Sequence, residues 1–181
     1  MSLRSFFQLP RIVKRFNKSE DGVTAVEFAI VGLPFFTLIF AIIEASLFFF
    51  AGQYLETTVD DVTRLFRTGQ FNTSTTEAQF RAEFCSRLVV MFNCADVRTE
   101  LQIEANFADL TNPSGPDPMT GNFPGNVFGN AGVGPGAEQI IQLSAQAKWP
   151  VFTNFAAPLL HTADGDYALI QVVSVTRTEP F

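Results

Sequence analysis

From Phe28 to Phe50 the chain runs for 23 residues with one ionisable side chain, Glu44. As an α-helix rising ~1.5 Å per residue, this run is about 35 Å long, enough to cross a bilayer core of roughly 30 Å. Two other readings compete with a membrane span. A buried core helix would need wrapping on all sides, and no other segment of the 181 residues can supply that. A cleavable secretory signal has an apolar region of ~7–15 residues ending at a small-residue exit. The run here is longer and continues into a helical pattern without such an exit, so the span is the reading adopted.

Charge supplies the orientation. Up to Gly22 there are five basic residues (Arg4, Arg11, Lys14, Arg15, Lys18) and two acidic ones; from Val23 onward there are seven basic and sixteen acidic. A basic leader before a single span keeps the N-terminus cytoplasmic and exports the C-terminal body. The acidic body has too few Lys and Arg for nucleic acid to be a partner. Cys85 and Cys94 would be free core thiols in the cytosol. In an oxidising exported domain they form a disulfide, the pairing expected here.

Beyond the bilayer the helix is expected to continue. Leu55, Val59, Val62 and Phe66 make one apolar stripe, Asp60 and Arg64 are spaced for an i,i+4 pair, and Gly69 is a natural stop. One helix from Val23 to Thr68 is predicted, kinked near Pro34, where a backbone donor is missing. In "STTE" the spacing of Ser74 and Glu77 predicts a capping box. The helix after it has Phe80, Phe84 and Leu88 as its core row, Glu77–Arg81 and Glu83–Arg87 as i,i+4 pairs, and an end near Phe92.

The period then changes to two. "VRTELQIEANF" (97–107) and "IIQLSAQAKW" (140–149) alternate apolar and polar residues and predict strands with one wet face. "YALIQVVSVT" (167–176) is apolar on both parities and is expected as the central strand. Between the first two strands, Asp109–Glu138 holds seven Gly and five Pro in thirty residues, too many for regular structure. The expected fold class is α+β: a long N-terminal transmembrane helix continuing into a small exported domain with a second helix and a three-stranded antiparallel sheet. Its parts are a leader (1–22), the span (23–50), a helix extension (51–69) and the exported domain (70–181) with its loop (109–138).

Motifs for chemistry are not found. His161 is the single histidine and lacks a Cys or acidic cluster at ligand spacing. Asp164 and Asp166 suit a turn in "TADGDY". No phosphate-cradling glycine loop or GxSxG occurs. The expectation is a non-enzyme without cofactor or metal.

There remains Glu27, a carboxylate at the mouth of the apolar run. In "GVTAVEF", Gly22 is followed by four residues and then Glu27–Phe28 at the head of a long apolar helix. This resembles the processing motif of type IV pilin-like proteins. The continuation through "VTRLFRTG", with Pro34, Glu44, Arg64 and Gly69, closely resembles TadE-like proteins, minor pseudopilins of the tight-adherence (Flp) pilus machinery. The resemblance covers about Asp21 to Gly69, and "TTVDDVT" (57–63) departs from its alanine-rich second half.

The resemblance implies cleavage after Gly22 by a membrane-embedded prepilin peptidase, leaving Val23 as the new N-terminus with Glu27 fifth. It also implies that Glu27 of one subunit neutralises a neighbour's terminal amine and sets register. A helix-dipole role in the headgroup region is the alternative for Glu27. Glu44 either pairs within an assembly or marks the outer boundary of the bilayer. The implied partners are the peptidase, other pilins or pseudopilins, inner-membrane pilus assembly proteins and the lipid bilayer. The implied location is a bacterial inner membrane, single-pass, with the C-terminal domain periplasmic or carried into a surface pilus. The other function class is a permanently anchored envelope protein that binds a ligand or surface through the 109–138 loop.

Overall fold

The computed structural model describes residues 22–88, 90–117, 120–129, 132–152 and 167–180. The chain divides into two compact units, Met1–Phe40 and Ala41–Phe181.

Helix α1 runs over Val23–Arg67 and is helical through Pro34. In the first unit it is apolar all round. Val23, Phe28, Ile30, Leu33, Phe36 and Phe40 are all at least 48% exposed. Thr37 Oγ1 donates to the Leu33 carbonyl at 2.8 Å, so its hydroxyl is satisfied inside the helix. In the second unit α1 becomes one-sided. Leu55, Val59, Val62 and Phe66 are fully buried, as the stripe requires, with Ala51 extending it by a turn. Thr58 and Thr63, from the stretch that departs from the alanine-rich pattern, are buried too. Asp60 and Arg64 form no ion pair among the described residues; Arg87 reaches the neighbouring Asp61 instead, at 3.3 Å. After α1, Gly69 takes a left-handed φ of 74° and its N–H bonds the Phe66 carbonyl, the expected stop.

Helix α2 spans Glu77–Arg87. Its capping box is built by Thr76 and Gln79, not by Ser74 and Glu77. Ser74 is held outside the helix, where its N–H and hydroxyl both donate to Asn72 Oδ1. The core row Phe80, Phe84 and Leu88 is buried as expected. The helix stops at Arg87, short of Phe92. Glu83 pairs with Arg87 at 2.6 Å. Arg81 turns instead to the carbonyls of Cys94 (2.9 Å) and Val97 (3.1 Å). Burial lowers its pKa, with Glu77 acting in the opposite sense.

The sheet has four strands, β1 (Val97–Glu104), β2 (Val127–Phe128), β3 (Ile140–Pro150) and β4 (Tyr167–Arg177), in the order β2-β1-β3-β4. β1–β3 and β3–β4 are antiparallel, while β2 lies parallel to β1. Three features correct the expectation. The fourth strand comes from the Gly/Pro-rich loop, because Phe128 fills an aromatic cluster with Phe80 (5.2 Å between centroids) and Phe66 (6.4 Å). The apolar β4 is an edge strand, and β3 is central. Finally, the face expected to be wet is covered along β1 and β3. Arg98, Glu100, Gln142, Ser144 and Gln146 are buried.

Hydrogen bonds to the loop account for that burial. Arg98 binds Glu100 at 2.7 Å and donates to the carbonyls of Ser114 (2.8 Å) and Pro124 (3.2 Å). Gln142 Nε2 donates to the Thr111 carbonyl at 2.8 Å. A polar face can be buried when each group finds a partner; Arg98, Glu100 and Gln142 find theirs partly on loop backbone, while Ser144 bonds the Glu100 carbonyl and Gln146 pairs with Arg98 and Gln171. On the opposite face Leu101, Leu143 and Ile141 pack with the α1 stripe and the α2 phenylalanines in one core. β1 stops at Glu104, leaving Phe107 in a 3-10 turn and exposed.

Candidate processing and assembly segment

Most expected site residues stand on α1; Gly22 lies just before it, Cys85 near the end of α2 and Cys94 in the turn before β1. Gly22 lies immediately before the helix and Val23 is its first residue. No acidic residue occurs in the first turn. Glu27 therefore stands beyond it, about 6 Å along the axis from Val23. Dipole stabilisation falls off within the first turn, so the dipole alone is a weak reason for an acid at this depth. The Glu27 side chain is exposed, projecting from a helix whose neighbours Val26, Phe28, Ile30 and Val31 are exposed too.

Gly22 itself has open space around it. A Cβ built there meets nothing within 4 Å. Its backbone is not left-handed, so neither conformation nor packing within the described chain calls for glycine at this position. At Gly32 the Phe28 ring lies 3.6 Å from a built Cβ, an ordinary contact. Pro34 stands inside the helix, and the Ile30 carbonyl loses its usual donor there.

Glu44 belongs to the second unit. It is 4% exposed, and its Oε1 accepts the backbone N–H of Phe152 at 2.6 Å, across 108 positions of sequence. Cys85, near the end of α2, is bonded to Cys94, which opens a 3-10 turn before β1, with 5.4 Å between their Cα atoms. A loop of this size contributes roughly 2–3 kcal/mol by chain entropy. The leader residues 1–21, and His161, Asp164 and Asp166, lie outside the described residues. Among the described residues no three His, Cys, Asp or Glu side chains group to hold a metal.

The stretch from Gly22 through the two carboxylates to Arg64 also carries a family likeness. Residues 22–64 match the family of TadE-like proteins. The match begins at Gly22 and covers the part of α1 on which the resemblance rests, about a quarter of the chain. Neither curated proteins nor solved structures gave a match. The TadE-like match and the apolar helix, with only 6% of its most hydrophobic window buried, fit a pilus-associated membrane protein.

Two features were not anticipated. The partner of Glu44 lies beyond β3, where sequence spacing carries no signal. The Arg98–Glu100 pair did have one: opposite charges two apart on one strand face stand side by side.

Proposed function

We propose that this chain is a minor pseudopilin that takes part in assembly of a tight-adherence type pilus, with its N-terminus cytoplasmic and its disulfide-bonded domain on the far side of the inner membrane. The observation that carries the reading is Gly22. Gly22 stands directly before a helix whose fifth residue is Glu27, and no described residue crowds it, so it is open to a protease. An extended backbone without a side chain fits closely into a protease site. Cleavage after Gly22 then leaves the Val23 amine at the start of α1, and Glu27 supplies the carboxylate that a neighbouring subunit's amine needs. Each of these charges is costly alone in an apolar layer, on the order of 3 kcal/mol at its centre, and the cost falls when they pair. The alternative is a permanently anchored binding protein working through the 109–138 loop, whose residues Asn122 to Asn126 line a cleft with Arg98 and Lys148.

The mature N-terminus is the test. Mass spectrometry of protein from envelope membranes is expected to find Val23 first, and Gly22→Leu to leave the full-length precursor. Glu27→Gln nearly keeps shape and removes charge; it is expected to be cut normally while piliation and adherence fall. Normal processing and piliation of both variants would sink the reading.

A further inference from the structure

The apolar run of α1 continues for six residues past Glu44, about 9 Å of helix, with Leu47, Phe49 and Phe50 at 44%, 70% and 58% exposure. Glu44 is thus well inside the apolar run rather than at its outer end. Its Oε1 holds the Phe152 N–H at 2.6 Å, which fixes the exit of β3 at the same level. The Phe152 side chain is 71% exposed there, and is preceded by Pro150, whose nitrogen carries no proton, and Val151.

We infer that Pro150–Val151–Phe152 is a second lipid-contacting element, inserted into the leaflet on the domain's side of the bilayer next to α1. The inference rests on the reading of α1 as a membrane anchor. Lipid is the occupant because the exposed Phe152 is fixed at the level of the lipid-facing residues of α1, and a bilayer that covers Leu47, Phe49 and Phe50 reaches that level. The Glu44–Phe152 bond explains how both can stay there. An unsatisfied N–H and a lone carboxylate are each expensive in hydrocarbon, and here each meets the other. Glu44 is the positioning residue, and Phe152 makes the contact.

The test uses the full chain, with its disulfide intact, in phosphatidylethanolamine–phosphatidylglycerol vesicles containing doxyl-labelled acyl chains. A single environment-sensitive fluorophore is placed by Phe49→Cys, Phe152→Cys or Gln70→Cys. Labels at 49 and 152 are expected to be quenched by doxyl lipid several-fold more than the label at 70, and by aqueous iodide several-fold less. Adding Glu44→Leu is expected to shift the 152 label toward iodide while the 49 label stays in lipid. A 152 label that behaves like the one at 70, with 49 still quenched by lipid, overturns the insertion and leaves the anchor standing. A 152 label unmoved by Glu44→Leu overturns the positioning role. Loss of lipid quenching at 49 as well would remove the anchor, and the insertion with it.

Discussion

Gly22 and Gly129 stand in different surroundings. Gly129 has a φ of 56°, and a Cβ there would collide with the Val133 carbonyl and press on Ile103; the domain's own backbone demands it. Among the described residues, nothing lies within 4 Å of where a Cβ on Gly22 would stand. Phenylalanine shows a contrast of burial too, between the domain's core and the apolar run that extends to Phe50. Phe66, Phe80 and Phe84 are at most 1% exposed, while Phe28, Phe36 and Phe40 are at least 48% exposed. From Ala51 on, α1 and the sheet bury one face in a core of the chain's own making, whereas the described part of the first unit buries almost none of its large apolar side chains.

The largest effect expected from that contrast is on folding stability. Phe66→Ala empties the centre of the aromatic cluster and is expected to cost about 3–5 kcal/mol. Phe40→Ala is expected to change stability by less than about 0.5 kcal/mol. Urea unfolding of the detergent-solubilised chain, followed by Trp149 fluorescence, compares them; a similar loss at both positions breaks the contrast. A somewhat smaller effect is expected on the covered face of the sheet. Arg98→Met strands the buried Glu100 carboxylate and is expected to cost about 3 kcal/mol, with faster amide exchange at Ser114. Adding Glu100→Met is expected to recover most of that loss, because an apolar pair leaves no buried charge uncompensated. A double variant weaker than the single one would show that Glu100 stabilises the fold through its bonds to Ser114 and Gln102, apart from Arg98. The smallest effect sharpens a boundary: Thr76→Ala is expected to cost about 1 kcal/mol as a lost helix cap. Ser74→Ala, outside the helix, is expected to cost less than about 0.5 kcal/mol by the same measurement.

Where the sequence could be read, one element carried its own signal. The apolar run, the Leu55–Phe66 stripe and the period-two strands β1 and β3 each follow from local spacing. What escaped depended on partners distant in sequence. Thr76 rather than Ser74 accepts from Gln79 N–H as the cap, while Ser74 is held by Asn72 two residues before the helix's cap position. The position of β4 at the edge is set by β3 pairing on both sides. β2 is two residues long and exists for the sake of Phe128. The polar parity of β3 looked solvated because its partners, loop backbone for Gln142 and neighbouring strands for Ser144 and Gln146, are distant in sequence. In the candidate segment, Gly22 and Glu27 can be named as candidates from their spacing, whereas the bond between Glu44 and Phe152 has no signal in the sequence.

The buried stripe of α1 also fixes an order of events in time. Leu55, Val59, Val62 and Phe66 emerge from the ribosome well before the residues that cover them, of which Ile141 and Ile170 come last. At ~5–20 residues per second the interval between Phe66 and Ile170 lasts roughly 5–20 s. α2 and β1 can cover part of the stripe early in that interval, but the core stays incomplete until β4 arrives. Any truncation that removes β4 would leave it incomplete.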